Sequence, residues 1–147
     1  MVRAHTYAPP AEAKTEPPLR LLVTGDRNWT DEEVIRAALG TVWHRQVILI
    51  HGAARGADKM AERVAKTMPH ITDIVPYPAQ WNRYHHGAGP IRNQQMLDEG
   101  KPDMCFAFHD NLRGDGPDIT VRASKGTRDM VERCQDAGIL VMIWTTK

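Results

Sequence analysis

The sequence lacks any apolar run long enough to cross a bilayer, and its first eighteen residues lack the continuous apolar stretch of a signal peptide. We therefore predict a cytoplasmic protein with no membrane partner. Cysteine is also scarce, because Cys105 and Cys134 are the only two and no Cys-x-x-Cys pair occurs. Both fall in apolar patterns, which favours thiols packed in a core over a disulfide or a structural zinc site.

An excess of charge of either sign is absent as well. The chain has 19 Lys and Arg against 18 Asp and Glu, so its formal net charge is +1. This balance argues against a protein whose affinity comes from coating nucleic acid. The adjacent His85 and His86 do not indicate a metal site, because neighbouring residues rarely direct both side chains to one ion. We predict neither a metal nor a cofactor.

The length of 147 residues suits one domain. Residues 1–18 consist mainly of Ala, Pro, Glu, Lys and Thr and contain almost no large apolar side chain. Such a segment cannot bury enough surface to offset its ordering entropy. We predict a disordered tail over 1–18 and a single packed domain over 19–147.

Short apolar runs alternate with helical patterns along the domain. The runs are Leu19–Thr24, Val47–His51, Ile71–Tyr77, Met104–Phe108 and Ile139–Trp144. Most are rich in Val, Ile and Leu, as expected of strands covered on both faces. The third run contains Asp73 and Pro76, which favours an edge position.

The helical patterns supply the other layers of the fold. They begin after Thr30, near Gly56, at Pro90 and after Ser124. Thr30 and Glu33 have the spacing of a capping box, the third helix is expected to end near Asp98, and the fourth at Gly138. Strict alternation predicts an α/β, Rossmann-like three-layer sandwich with a five-stranded parallel sheet in the order 3-2-1-4-5.

In such a sheet, ligands bind beyond the carboxyl ends of the strands, where the strand order reverses. The residues that follow the first strand include Gly25 and Arg27. Glycine permits close backbone approach, and arginine offers a planar fork of donors. An ordinary strand-to-helix turn with a solvated arginine is the alternative interpretation.

The second strand leads into small residues around one cation, namely Gly52, Arg55, Gly56 and Asp58. Backbone donors and a helix start favour an anion there. No Gly-Lys-Ser/Thr follows, so this is not a Walker loop. Asp58 has three candidate roles: to cap its own helix, to accept a ribose hydroxyl, or to orient Arg55. Capping is the commonest use of such an aspartate.

Three further groups complete the predicted site. Trp81 follows the third strand and could stack on a base, although local packing is the commoner role. Arg92 and Asn93 fall in the predicted first turn of the third helix, where a cation opposes the helix dipole. An anionic ligand, or a salt bridge to Asp98 or a nearby aspartate, would account for it. The fourth helix opens with a second phosphate-sized niche, formed by Ser124, Lys125, Gly126 and Thr127.

Four cations thus lie on one predicted edge of the sheet: Arg27, Arg55, Arg92 and Lys125. Each signal alone is weak. Together they need a counter-charge, and a phosphorylated small molecule fits best.

Five stretches carry a family resemblance, in order along the chain: Val23–Arg27, Gly52–Asp58, Trp81, Ala88–Met96 and Ser124–Thr127. They resemble the SLOG superfamily, in its YspA/YpsA-like branch from bacteria and their phages. The resemblance implies a Rossmann-like fold that binds a nucleotide or nucleotide-derived ligand, often as a sensor or accessory protein.

The related LOG phosphoribohydrolases cleave the N-glycosidic bond of nucleoside monophosphates, and the chain departs from their motifs. Asn93 stands in place of a lysine, and Met130 stands where those enzymes carry a catalytic glutamate. Residues 122–124 also replace a Pro-Gly-Gly. Methionine cannot transfer a proton, so Asp58 or Asp129 would have to serve instead.

Three functions therefore compete. We expect a nucleotide-binding protein, with an N-glycosidase or nucleotide hydrolase as the first alternative. The second is single-stranded DNA binding, because the DNA-processing protein DprA has a related fold, and the near-neutral charge counts against it. A homodimer through Trp43, Met142 and Trp144 is a further hypothesis, although core burial explains these residues equally well.

Overall fold

A computed structural model describes residues 16–112 and 125–146. Most of the predicted tail, and Ser124, lie outside the described residues. The last residues of that tail contact the domain: Arg45 Nη2 donates to the Pro17 carbonyl oxygen at 2.7 Å, and Arg45 Nε lies 3.4 Å from Glu16 Oε1.

Strands and helices alternate as the sequence pattern predicts. The strands are β1 (Leu19–Gly25), β2 (Val47–His51), β3 (Ile71–Pro76), β4 (Met104–Phe108) and β5 (Leu140–Trp144). The α-helices are α1 (Glu32–Gly40), α2 (Ala57–Ala65), α3 (Trp81–Tyr84), α4 (Ala88–Gly100) and α5 (Lys125–Asp136), with a 3₁₀ turn at His85–Gly87. In the part of the chain that the structure describes, no helix has the length and apolar character of a membrane span.

The sheet confirms the predicted topology. Its order is β3-β2-β1-β4-β5, and every neighbouring pair is parallel. The strand order therefore reverses between β1 and β4, as expected. The predicted edge position of β3 is also confirmed, since β3 pairs with β2 alone.

Two apolar cores, one on each face of the sheet, account for the three layers. Successive residues of β1 point to opposite faces, so Leu21 lies in the core beneath α1 and α2, while Leu22 lies in the core beneath α4 and α5. The second core also contains Cys105 and Cys134, which are buried free thiols, as predicted.

Two of the proposed dimer residues are exposed, Trp43 and Met142. Trp144 instead packs edge-on against Phe106, with ring centroids 5.3 Å apart. Packing within the domain therefore accounts for Trp144, and the homodimer stays a prediction.

Helix starts differ from the predictions by one or two residues. The N-cap of α1 is Asp31, whose Oδ1 accepts from the Val34 amide at 3.2 Å, so the capping box at Thr30 and Glu33 is wrong. Helix α4 extends the predicted Pro90–Asp98 by two residues at each end. Proline is tolerated at its third position because amides of the first turn have no intrahelical partner.

We expect Gly25→Ala to lower the free energy of unfolding by about 1–3 kcal/mol, the usual effect of overpacking a core. A Cβ atom there would lie 2.6 Å from Ala57 Cβ and 2.7 Å from the Phe108 carbonyl oxygen. Gly40→Ala is the matched control, because nothing lies within 4 Å of its added Cβ, and it should raise stability by about 0.5 kcal/mol. Urea denaturation measures both; equal effects of the two substitutions would contradict the close packing of β1 on α2.

Candidate functional site

A cleft of about 390 Å³ lies beyond the carboxyl ends of β1 and β2. We call it the arginine cleft; its lining is Arg27, Gly52, Ala53, Ala54, Arg55, Pro78, Ala79, Trp81 and Arg92. It contains residues from the loops after β1, β2 and β3 and from α4. The cleft therefore occupies the edge of the sheet at which the sequence predicts a ligand.

A smaller cavity of about 30 Å³ shares Arg27, Ala54 and Arg92 with the arginine cleft. We call it the switch-point cavity, because it lies where the strand order reverses. Its remaining lining residues are Thr24, Gly25, Asp58, Asn93, Met96, Gly126 and Thr127. Its volume is enough for about one water molecule.

Most of the predicted site residues lie along these two cavities: Gly25, Arg27, Gly52, Arg55, Asp58, Trp81, Arg92, Asn93, Gly126 and Thr127. Gly56 lies beside an adjoining cavity. Lys125 is exposed and lines neither cavity as far as the structure describes them, and Ser124 lies outside the described residues. The structure thus brings three of the four predicted cations together.

The three guanidinium groups differ in their surroundings. Arg27 and Arg55 are exposed, whereas Arg92 is buried. The Arg27 guanidinium carbon lies 5.9 Å from the centroid of the Trp81 ring, in cation–π range. Burial, followed by the repulsion from Arg27, lowers the pKa of Arg92, while Asp58 and Asp129 raise it.

The loop from β2 to α2 turns its amide groups inward. Asp58 Oδ2 accepts from the amides of Gly52 at 3.0 Å and Ala54 at 3.2 Å. The Ala53 amide donates to His51 Nδ1 at 3.0 Å. These three amides already have protein acceptors, so the predicted cradle of backbone donors does not form from them. Asp58 organises the loop and does not cap its own helix.

Gly56 begins α2 without a side-chain cap and has a φ of 79°. A Cβ atom there would collide with the carbonyl oxygens of Asp26 and Arg27. The glycine therefore lets the β2–α2 loop pack directly against the β1–α1 loop, which brings Arg55 beside Arg27.

Arg92 lies in the second turn of α4, not in the first, because that helix begins at Ala88. The predicted conflict with the helix dipole is therefore wrong. Its Nη1 donates to the Gly52 carbonyl, and its Nε donates to Asn93 Oδ1 at 2.9 Å. Asp98, the predicted ion-pair partner, accepts instead from Gln94 Nε2 at 2.9 Å.

Asn93 links this group to α5. Its Nδ2 donates to Asp129 Oδ2 at 2.9 Å and to the Gly126 carbonyl oxygen at 3.2 Å. Asp129 also accepts from Arg133 Nε at 2.8 Å. The carboxylate of Asp129 is therefore engaged in holding α4 and α5 together.

Burial raises the pKa of Asp58 to about 6, although the hydrogen bonds from Ala54 and Gly52 and the charge of Arg92 act to lower it. The histidine beneath the same loop shifts the other way, because burial lowers the pKa of His51. Its Nδ1 accepts from Ala53, so the ring proton resides on Nε2, which donates to Glu62 Oε1 at 3.2 Å.

Two apolar residues of the arginine cleft were not predicted, and one tryptophan near the cleft is buried. Trp29, which follows β1, is buried, and its ring packs edge-on against Phe108, with the ring centroids 5.6 Å apart. Pro78 and Ala79 line the arginine cleft and were missed. Their place directly after β3 was the signal that could have found them, since ligands bind beyond strand ends.

The described residues contain no group of three or more His, Cys, Asp or Glu side chains that could hold a metal ion.

Met130, at the position of the glutamate in the LOG phosphoribohydrolases, is buried with Leu22 and Ile50 in the second core. The side chain at this position is therefore part of the packing.

The pH dependence of stability should carry the signature of Asp58. Its folded pKa of about 6 exceeds its ordinary value of 3.8, so its contribution to stability is present at low pH and is lost as pH rises through about 6. Relative to Asp58→Asn, the free energy of unfolding of the unmodified protein should fall by about 2 kcal/mol from pH 4 to 7.

Urea denaturation across this range measures the difference between the two proteins. His51 is present in both, so its titration cancels. Asp98→Asn, at an exposed carboxylate, controls for the loss of a surface charge. If the difference in free energy of unfolding between Asp58→Asn and the unmodified protein stays constant from pH 4 to 7, the raised pKa of Asp58 is contradicted.

Comparisons with known proteins identify the family of this chain. The profile of the YspA, cpYpsA-related SLOG family matches residues 19–84, which include the loops after β1, β2 and β3. The Gene 61 protein of Mycobacterium phage D29 is 34% identical over 129 residues, covering 84% of this chain and 94% of that protein. No solved structure matches. The chain belongs to the YspA, cpYpsA-related SLOG family, and this membership suggests a role in binding nucleotide-related ligands.

Proposed function

We propose that the protein binds a nucleotide or a nucleotide-derived phosphate ligand in the arginine cleft and acts as a sensor or accessory protein. One observation carries this proposal: Arg27, Arg55 and Arg92 come from three separate elements and line a single cavity with Trp81. Cations converging in one cleft repel one another, so an anion bound between them is favoured.

The phosphate group is assigned to Arg27 and Arg55. Within the described residues, neither forms an ion pair with a carboxylate. Both side chains are exposed and can present their planar donor forks to phosphate oxygens. The Nε and Nη1 atoms of Arg92 donate hydrogen bonds within the protein. Arg92 therefore adds positive charge to the cleft and holds the β2–α2 loop in place, but it is less free than Arg27 and Arg55 to reach a ligand.

The base is assigned to the wall formed by Pro78, Ala79 and Trp81. Trp81 lines the cleft and is 47% exposed, so a ligand can reach its ring. Aromatic side chains at the rim of a phosphate site stack on bases of any identity. A cleft of about 390 Å³ lies in the size range of small-molecule sites.

Hydrolysis of a nucleotide is the second candidate function, favoured by the position of Asp58. This carboxyl lines the switch-point cavity next to Arg92, and burial raises its pKa to about 6. A carboxyl that titrates near neutrality can act as a general acid. It protonates the departing base as the N-glycosidic bond breaks, water adds to the sugar, and the proton that the water releases returns to the carboxylate.

Thermal-shift and calorimetric titrations with nucleoside monophosphates test the binding site. At saturation the ligand should raise the apparent stability, because it binds the folded state alone. Arg27→Ala and Arg55→Ala should each weaken binding about tenfold or more, the usual effect of losing a charge-assisted hydrogen bond. Arg36→Ala, at an exposed arginine of α1, is the matched control and should bind as the unmodified protein does.

The outcome that contradicts the proposal is a nucleotide whose affinity is the same in Arg27→Ala, Arg55→Ala and Arg36→Ala. Chromatography of the same mixtures separates the two candidate functions. Unchanged nucleotide indicates a binding protein. Released base that disappears with Asp58→Asn, but persists with Asp98→Asn, indicates the hydrolase.

A further inference from the structure

A third cavity adjoins the arginine cleft on the outer side of α2. It has a volume of about 600 Å³ and shares Arg27 and Arg55 with the cleft. We call it the α2 groove; its other lining residues are Asn28, Trp29, Thr30, Gly56, Lys59, Met60 and Arg63. Arg27 and Arg55 therefore stand on the boundary between two cavities, and a group bound to them can extend into either.

The α2 groove is strongly cationic. Arg27, Arg55, Lys59 and Arg63 line it, and no carboxylate occurs among its described lining residues. Glu32 compensates part of this charge, because its Oε1 lies 3.3 Å from Arg63 Nη2. Both side chains of that pair are more than 40% exposed, so water screens it and its contribution is small. Lys59 forms no ion pair within the described residues.

Two of these cations, Lys59 and Arg63, lie along one side of α2, and Arg55 lies in the loop before that helix. Lys59 and Arg63 are four residues apart and so project from the same face, about 6 Å apart along the axis. Arg55 precedes them by the same interval, at the mouth of the arginine cleft. Like charges at this spacing destabilise a helix unless an anion offsets them.

The two cavities differ in chemistry. The arginine cleft has an aromatic and apolar wall at Pro78, Ala79 and Trp81, whereas the α2 groove adds two cations of its own, Lys59 and Arg63. A monophosphate held by Arg27 and Arg55 would leave Lys59 without a counter-charge. A ligand with its base in the arginine cleft and further phosphates in the α2 groove would match the aromatic wall of the cleft and supply a counter-charge to Lys59.

We propose that the ligand is a nucleoside oligophosphate, with its first phosphate on Arg27 and Arg55 and its outer phosphates in the α2 groove on Lys59 and Arg63. This inference rests on the proposed function, because it extends a ligand whose base occupies the arginine cleft. It assigns Lys59 and Arg63 as the residues that distinguish an oligophosphate from a monophosphate.

Calorimetric titration with the mono-, di- and triphosphate of one nucleoside tests this assignment. EDTA is present throughout, because the described lining of the groove offers no carboxylate to hold a divalent cation. The unmodified protein should bind more tightly with each added phosphate, by about tenfold per step. In the double variant Lys59→Ala/Arg63→Ala, the ratio of triphosphate to monophosphate affinity should fall at least tenfold.

Lys66→Ala is the matched control, since this exposed lysine lies one turn beyond Arg63 but does not line the groove. It should keep the ratio of the unmodified protein. A monophosphate that binds as tightly as the triphosphate overturns the inference and leaves the proposed function intact. The inference is also overturned if the ratio of triphosphate to monophosphate affinity is the same in the double variant as in the unmodified protein.

A short oligonucleotide provides the competing arm. One contrary outcome is that the oligonucleotide binds the unmodified protein more tightly than the triphosphate does, and loses that extra affinity in the double variant. In that case the groove holds a nucleic-acid strand and the inference is overturned. Failure of all three nucleotides to bind would instead contradict the proposed function itself.

Discussion

Buried charged groups hold the backbone of Gly52 on both sides of its Cα atom. Its amide donates to Asp58 and its carbonyl accepts from the Arg92 guanidinium. Neither charged group would be buried at acceptable cost without such partners. The carboxylate gains two amide donors, the guanidinium gains a carbonyl, and the two opposite charges lower each other's desolvation penalty. The path of the β2–α2 loop follows from this arrangement.

That path decides which groups remain for a ligand. The amides of Gly52, Ala53 and Ala54 are satisfied inside the protein, so this loop differs from phosphate-binding loops that offer their backbone. The side chain of Arg55 is exposed beside Arg27. Recognition of an anion therefore depends on guanidinium groups, whose attraction is long-ranged and weakens with added salt.

Much of the fold could be predicted because it depends on local patterns and chain handedness. Apolar runs rich in Val, Ile and Leu specified the strands, and their alternation with helices indicated a doubly wound parallel sheet, for which 3-2-1-4-5 is a common order. The carboxyl-edge rule placed Arg27, Arg55 and Arg92 in one region without knowledge of any contact. Pro78 and Ala79 lie at the same edge of the sheet, but they were not predicted because their residue types suggest no chemistry.

Other details depend on tertiary structure that sequence patterns do not contain. Two residues, Thr30 and Asp31, compete for one cap, and only the position of the helix decides between them. Trp29 and Trp81 each follow a strand by four or five residues, yet Trp29 packs on Phe108 and Trp81 is exposed. The inward turn of the Gly52 amide depends on Asp58, six residues away. Capping remained the expected role for that aspartate because local statistics favour it.

The central claim is that Arg27 and Arg55 hold one phosphate group in a cleft whose wall binds a base. A crystal structure of the protein grown with a nucleoside monophosphate tests it most directly. We expect the phosphate oxygens within hydrogen-bond distance of both guanidinium groups and the base against Trp81. A phosphate bound elsewhere on the protein, with Arg27 and Arg55 still facing solvent, would contradict the claim.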